Sequence, residues 1–256
     1  MPNLSLLDPA FVGVAGTSEE GYTSGLGSAG DMDNYNSGNS SSGQPSGLGT
    51  KALEMSGTTY AANLAGGQII PTASDWSFSI WSNLVDFHNA WMLATNPSSG
   101  SSDVIRIEFT TASGGTIKKL ALQFYDSAGN FTSLTQVVTS SYTTGVYHLI
   151  GVTYEKSTGT LSLFLDGALE ADNGGSSTTA GLGTKTDWIF FNISGEAYEG
   201  KATEIVTRNM ALPLSDWSTL YASGNGVTAD TVEQGSILVY YNGQSTSAPI
   251  TNVAIP

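Results

Sequence analysis

The sequence predicts an all-β protein, built as a two-sheet antiparallel β-sandwich with one short helix and extended arms at both ends. Only 12% of the 256 residues are charged, while Gly, Ser, Thr and Asn are abundant. This composition favours strands and turns over helices. Apolar and polar residues alternate along several short segments, as in strands that bury one face. Clusters of Gly, Ser and Asn separate these segments and predict turns.

The alternation is clearest in four segments, residues 104–109, 120–125, 148–154 and 161–165. In the last of them Leu161, Leu163 and Leu165 form the apolar stripe that we expect to face the core. Asp166 and Gly167 follow directly and predict a two-residue hairpin turn, because both types tolerate positive φ. The continuous apolar run at residues 237–241 predicts a further strand.

One helix is predicted between these strands. Ser215 is a suitable N-cap and Asp216 stands in the first turn. Trp217, Leu220 and Tyr221 recur at helical spacing, and Gly224 is expected to end the helix.

The two ends of the chain differ in composition from its centre. Residues 1–50 contain no Lys or Arg and are rich in Gly and Ser, so they lack the apolar area to order themselves. We predict an N-terminal arm over 1–50, the sandwich over 51–227, and a C-terminal strand and tail over 228–256. Phe11 and Val12 are the candidate anchors of the arm on a neighbouring subunit.

The charge of the chain excludes some partners. The formal net charge is −14, from 22 acidic and 8 basic residues. Such a chain repels phosphate backbones, and no basic cluster is present to hold an anionic membrane. There is no Cys, so disulfides and thiolate ligands are excluded. The first residues lack a basic segment followed by an apolar run, so we expect no signal peptide, no transmembrane segment and synthesis in a cytoplasm.

Two segments resemble a known family. Residues 145–154, continuing through Gly159 to residues 163–167, are similar to the "W-H-x-V-A-V-T-Y-D … L-Y-V-D-G" hairpin of laminin-G-like domains. Residues 198–212 resemble the closing "F-x-G-x-I-D-E-V-x-I-Y-N-R-A-L" segment of the same family. The resemblance is to the concanavalin A-like lectin and glucanase superfamily, whose laminin-G and pentraxin-type members are jelly-roll sandwiches. It implies binding of glycans or proteins, and in many members a calcium ion.

Several residues match the motifs of this family and are expected to have structural roles there. They are Tyr147, His148, Asp166, Gly167, Gly200 and Glu204. Tyr147 stands where the family has Trp, which keeps an aromatic ring at that position.

The expectation of a metal is weak. Thr203 stands where the family has an Asp that often helps to hold calcium, and only Glu204 remains beside it. Asp31 and Asp33 gather oxygen ligands in a short polar segment, but that segment lacks the Gly and Glu of an EF-hand loop. We therefore expect no cofactor, with calcium as the alternative.

Catalytic patterns are missing from the sequence. Glycosidases of this fold carry alternating carboxylates on one strand, whereas Glu108 and Glu204 each stand alone. His88 and His148 are the only two histidines, too few to make a zinc site without carboxylates in register. We expect no enzyme. Among the five Trp residues only Trp91, which lies near Asn89 and Asp86 in sequence, is a candidate for stacking on a sugar.

These observations favour a non-catalytic surface protein of a larger assembly, such as a virion exterior made in a host cytoplasm. Its partners would be other protein subunits, including copies of itself, and glycans. A free carbohydrate-binding module is the alternative, and a glycosidase or polysaccharide lyase is the third reading.

Overall fold

A computed structural model describes residues 43–48, 52–55, 62–65, 70–71, 74–95, 104–112, 116–175, 178–183, 187–190 and 198–241 of the chain. Within these residues there are thirteen strands and one α-helix. The strands are β1 (Leu53–Met55), β2 (Ala62–Ala65), β3 (Trp76–Leu84), β4 (Ala90–Thr95), β5 (Val104–Ala112), β6 (Ile117–Tyr125), β7 (Phe131–Val137), β8 (His148–Glu155), β9 (Thr160–Leu165), β10 (Ala168–Asp172), β11 (Asp187–Phe190), β12 (Gly200–Arg208) and β13 (Ile237–Tyr241); the helix is α1 (Leu214–Tyr221).

The strands form two antiparallel sheets. The seven-stranded sheet has the order β1-β12-β3-β8-β9-β10, with β13 paired to the second half of β12. The six-stranded sheet has the order β2-β11-β4-β5-β6-β7. This architecture confirms the predicted all-β sandwich with a single short helix. Strand β13 spans the apolar run that the sequence marked as a strand, and it joins the seven-stranded sheet.

The main core fills the space between the two sheets. Leu161, Leu163 and Leu165 are buried there, as the alternation predicted. The six-stranded sheet contributes the facing positions of β5 and β6, among them Phe109 and Phe124. Because successive side chains of a strand point to opposite faces, the intervening residues of these strands point away from the core.

A second core covers the other side of the seven-stranded sheet. Helix α1 lies on this outer face, with the Trp217 ring stacked on Phe164 at 4.9 Å. Trp81 of β3 stacks on Tyr221 at 5.9 Å. Burying both faces explains why β3 and β8 are buried along almost their whole length.

The predicted helix exists, but both predicted ends were wrong. It begins at Leu214 with Pro213 as N-cap, whereas Ser215 lies within the first turn and its hydroxyl contacts the Asp216 carboxylate. Pro213 suits the cap because it has no N–H to leave unsatisfied, and its carbonyl accepts from Asp216 N. The C-cap at the other end is Ala222, which is left-handed, rather than Gly224, which ends the following 3₁₀ turn.

The Asp166–Gly167 hairpin is confirmed. Leu165 pairs with Ala168, so the loop has two residues, and both have positive φ, 52° and 77°. This is the conformation of the tight turn that joins twisted strands.

The described part of the chain contains no helix with the length and apolar character needed to span a bilayer.

Candidate functional site

The outer face of the six-stranded sheet is the candidate site. We define it by the outward positions of β5, β6 and β7, which alternate with the core positions. They are Arg106, Glu108, Thr110, Lys119, Ala121, Gln123, Tyr125, Phe131, Ser133, Thr135 and Val137. Along β7 every one of these positions is exposed. The corresponding face of the seven-stranded sheet is covered by the second core, so the two sheets differ in what they offer to a ligand.

An aromatic pair lies at one end of this face. Tyr125 and Phe131 are directly opposite each other in the β6–β7 register, and their ring centroids are 4.3 Å apart at 30°. Phe131 is 47% exposed. Two aromatic rings packed together with one of them open to solvent make a flat apolar surface.

Polar side chains occupy the next rows of the same face. Arg106, Gln123 and Ser133 lie side by side in the registers of β5, β6 and β7. Glu108 lies in the next row along β5, opposite Ala121. Gln123 Nε2 donates to its Oε1 at 3.5 Å. Glu108 is only 6% exposed although it points outward. The row beside the aromatic pair therefore contains a guanidinium, an amide and a hydroxyl, and the carboxylate of Glu108 lies in the row after it.

The turn between β6 and β7 positions the aromatic pair. Asp126 is fully buried, and its carboxylate accepts from the backbone N–H groups of Ala128, Asn130 and Ala180 and from the Asn130 side chain. A carboxylate that accepts four hydrogen bonds fixes the backbone around it. The turn is thereby tied to residues 178–183, and Tyr125 and Phe131 are held at its two sides.

The residues that carry the family resemblance lie on the seven-stranded sheet. Thr143 N donates to His148 Nε2 (3.0 Å), so Nδ1 carries the proton that it donates to Asp166 Oδ2 (2.7 Å). Asp166 Oδ1 accepts from Leu149 N at 3.0 Å. Tyr147 is buried in the second core. These contacts tie the start of β8 to the β9–β10 turn.

Glu204 is held in the structure by a backbone contact. Its φ is 50°, at the point where the pairing of β12 with β3 shifts register. Its Oε2 accepts from Ala229 N at 2.7 Å, and it is 2% exposed. Arg208 Nη2 donates to the carbonyl of the same residue, Ala229, at 2.9 Å. Two buried side chains of opposite charge thus hold the segment that leads to β13.

Gly200 lies at the start of β12, where a Cβ would collide with the Asn83 carbonyl. Glycine is therefore the residue that lets β12 approach β3 at this point.

The described residues do not assemble a calcium site. No three acidic or histidine side chains come together among them in a way that could hold a metal. Thr203 is fully buried and Glu204 is directed to Ala229. Asp31 and Asp33 lie outside the described residues.

The other residues that the sequence singled out are Trp91, His88, Phe11 and Val12. The backbone of Trp91 pairs with Glu108, and its side chain lies outside the described part of the structure. His88 Nδ1 is 2.8 Å from the carbonyl of Asp86. Phe11 and Val12 lie outside the described residues.

Buried tyrosines hydrogen-bond inside the sandwich. Ser82 Oγ is 2.7 Å from Tyr198 Oη and 3.2 Å from Tyr142 Oη. Burial raises the pKa of both phenols well above the usual value. Burial also raises the pKa of Tyr154, to about 12, and its hydroxyl donates to the carbonyl of Thr178. None of these groups titrates near neutral pH.

A shallow cavity of about 340 Å³ lies at the start of β3, away from the outer face. Its lining consists of Ser74, Asp75, Lys156, Ser157, Asn209 and Met210. The Asp75 carboxylate accepts from Lys156 N, which orders this edge.

The sequence reasoning missed Arg106, Gln123, Tyr125 and Phe131 as functional candidates. The outward positions of Arg106, Gln123 and Tyr125 were contained in the alternation of β5 and β6, whereas Phe131 lies on β7, where no strand was predicted. The registers that bring these residues together depend on the loops between the strands, which the alternation does not specify.

The fold defines a class, the two-sheet antiparallel β-sandwich with one short helix. No protein-family model and no curated protein matches the sequence. The solved structures with a similar fold include two of a phage tailspike and one of a pentraxin. Full-length tailspike protein 2 from an Escherichia coli O157:H7 bacteriophage gives a TM-score of 0.58 at 14% identity, over 78% of this chain and 27% of that chain. The enzymatically active domain of the bacteriophage CBA120 tailspike protein 2 gives a TM-score of 0.56 at 13% identity, over 76% of this chain and 30% of that chain.

The third similar structure is the heptameric SAP-like pentraxin from Limulus polyphemus. It gives a TM-score of 0.50 at 12% identity, over 63% of this chain and 75% of the pentraxin chain. The chain thus spans less than a third of the tailspike chains and three quarters of the pentraxin. At these identities the likeness concerns the fold.

Proposed function

We propose that this chain is a non-catalytic glycan-binding module that uses the outer face of the six-stranded sheet. The observation that carries the proposal is the Tyr125–Phe131 pair, with Phe131 exposed, beside Gln123, Ser133 and Arg106. The apolar C–H face of a pyranose ring packs on an aromatic surface, while its hydroxyls need donors and acceptors nearby. This face supplies both within neighbouring rows of one sheet.

The shape of the face suggests the kind of glycan. The outward positions of β7 are all exposed, so internal units of an extended chain can lie along this strand. Rows two residues apart along a strand are separated by about 7 Å. The aromatic pair and the polar row are therefore close enough to contact one disaccharide.

The proposed absence of catalysis is supported by the placement of the carboxylates. Glycoside hydrolysis needs two carboxyl groups about 5–9.5 Å apart on either side of the scissile bond. Glu108 lies on β5 of one sheet and Glu204 on β12 of the other. Glu204 is also buried and held by Ala229 N. These two carboxylates cannot flank one bond on a common face.

The glycan-binding proposal is tested on Phe131. A broad glycan array with the full chain would first identify a bound saccharide, and calorimetry would measure its affinity. We expect Phe131→Ala to weaken binding at least tenfold, which corresponds to about 1.4 kcal/mol. Leu214→Ala is the matched control, because Leu214 is also an exposed apolar residue but lies at the start of α1, on the other sheet. It should change affinity less than twofold.

Two results would overturn the glycan-binding proposal. One is the absence of any saccharide ligand. The other is wild-type affinity in Phe131→Ala with a loss in Leu214→Ala. Both variants replace exposed side chains, so their melting temperatures should stay close to that of the wild type and serve as the folding control.

We further propose that the module is part of a larger assembly, such as a virion surface. The support is the fold shared with the phage tailspikes and the base-free N-terminal segment, in which Phe11 and Val12 are the proposed anchors. Sedimentation or light scattering of the purified chain tests this role. A monomer that also fails to co-purify with any particle would favour the free carbohydrate-binding module.

A tailspike-type hydrolase is the second candidate function, because one similar structure is an enzymatically active domain. The bound polysaccharide should be incubated with wild type and with Glu108→Gln. Shortened polysaccharide with the wild type, and unchanged polysaccharide with Glu108→Gln, would establish a hydrolase and exclude the non-catalytic function.

A further inference from the structure

The charge of the chain is unevenly distributed. Residues 104–137, which span β5 to β7, carry three bases and two acids, and the rest of the chain carries five bases and twenty acids. The segment is thus slightly positive in a chain of net charge −14. Strands β5, β6 and β7 are the ones that form the proposed glycan face.

The contacts or exposure of four of these five charged groups show where each one lies. Lys118 points to the end of the sandwich, where its Nζ donates to the Tyr142 carbonyl and lies over the Phe87 ring. Asp126 is buried, and four donors satisfy its carboxylate. Glu108 lies on the outer face, nearly inaccessible, and accepts from Gln123. Lys119 is outward and partly exposed.

The outer face therefore carries two cations, Arg106 and Lys119, and one carboxylate, that of Glu108. These outward positions of β5, β6 and β7 therefore carry a formal charge of +1. Arg106 is in the same row as Gln123 and Ser133, next to the aromatic pair.

Resting on the proposed function, we propose that the glycan bound by this face is anionic, with carboxylate or sulfate groups on different sugar units contacting Arg106 and, two rows further along the sheet, Lys119. Guanidinium binds planar carboxylates and sulfate oxygens through paired hydrogen bonds, and an ammonium group adds a compact charge. The acidic remainder of the chain would disfavour such a ligand at other surfaces, which directs it to this face.

The test compares three ligands against the full chain by calorimetry in 0.15 M NaCl. The first is an oligosaccharide that contains uronic acid, the second is its carboxyl-reduced neutral form, and the third is a sulfated form of the neutral one. We expect at least tenfold tighter binding of one or both anionic forms, which also identifies the anionic group. In 1 M NaCl, where the screening length is about 3 Å, this preference should largely vanish.

Lys119→Gln is the informative variant and Lys156→Gln the matched control. Lys156 lies in the turn after β8, by the shallow cavity, and its replacement removes the same charge away from the outer face. Lys119→Gln should weaken the anionic ligand about three- to tenfold and leave the neutral form unchanged. Lys156→Gln should change neither by more than twofold.

Equal affinity for the neutral and anionic forms would overturn this inference and leave the glycan-binding proposal intact. Equal losses in the two Lys variants would also overturn it, since the effect would then reflect overall charge. If anion binding appears only after removal of residues 1–42, the occupant of the face is that segment of the same chain, which contains five acidic residues and no basic residue. This result would also overturn the inference.

Discussion

Asp166 combines three contacts in one residue. It occupies the first position of the β9–β10 turn with φ of 52°. One carboxylate oxygen accepts from Leu149 N and the other lies 2.7 Å from His148 Nδ1. Its own N–H donates to the Leu149 carbonyl at 2.8 Å. Few residue types tolerate this backbone conformation, and Asp and Asn are among them.

Asp166→Ala should therefore lower the free energy of unfolding by about 2–4 kcal/mol, since it removes charge-assisted hydrogen bonds and leaves Ala at positive φ. Asp166→Asn retains an acceptor and a residue that tolerates this conformation, so its loss should be less than half as large. Urea unfolding of both variants measures the difference. Equal losses would mean that the turn conformation contributes little.

The buried tyrosines predict how stability depends on alkaline pH. The phenol of Tyr154 has its pKa raised to about 12, and those of Tyr142 and Tyr198 are also raised, whereas an unfolded Tyr titrates near 10. The folded state thus holds protons that the unfolded state releases. Their contribution is complete below about pH 10 and is lost as the pH rises through the folded pKa.

We expect the melting temperature to decline steeply between about pH 10 and 12, through these tyrosines. Tyrosinate absorbance should rise for the exposed phenols first and for the buried ones only on unfolding. If all eleven tyrosines titrated near pH 10 with the fold intact, the buried hydrogen-bonding cluster would not exist in solution.

At the scale of elements, helix α1 docks on the seven-stranded sheet at a glycine. A Cβ at Gly151 of β8 would collide with the Trp217 ring. The indole instead lies flat over β8 and β9, stacked on Phe164. The absence of a side chain at one strand position therefore sets how closely the helix approaches.

Gly151→Ala should destabilise the protein by about 1–3 kcal/mol, because the added methyl group forces the indole from its position. Strand propensity alone would favour Ala over Gly, so a loss of stability isolates the clash. Gly235→Ala is the control, since a Cβ there meets no atom within 4 Å and the residue does not have positive φ. Intrinsic Trp fluorescence should shift in the first variant alone; an unchanged or higher melting temperature would contradict this packing.

At the scale of the molecule, the sandwich extends into the segment that composition assigned to the N-terminal arm. Gly47 N donates to the Asn225 carbonyl at 2.8 Å, and Leu48 is buried in the second core against Gly226. The predicted boundary at residue 50 remains a prediction for the chain as a whole. The contacts of residues 46–48 show that a deletion up to residue 50 removes part of the sandwich.

Removal of residues 1–42 should leave a cooperative unfolding transition with nearly unchanged stability. Removal of residues 1–50 should cost about 2–3 kcal/mol more, because it takes away a buried Leu and the hydrogen bonds around Asn225. Chemical unfolding of the two truncated chains measures this difference. Unfolding or aggregation of the shorter deletion would show that the arm belongs to the core.

The sequence alone determined the fold class, because the alternation in β5, β6, β8 and β9 and the Asp166–Gly167 turn depend on neighbouring residues. It also indicated which residues of β5, β6, β8 and β9 share a face. The loops between β5, β6 and β7 set the registers that place Arg106 beside Gln123 and Tyr125 beside Phe131. The tertiary structure decided how strands distant in sequence pair, as β12 does with β3, and it brought Glu204 to Ala229. Local patterns contain no information on such registers, since they follow from how two sheets pack and from which outer face the helix covers.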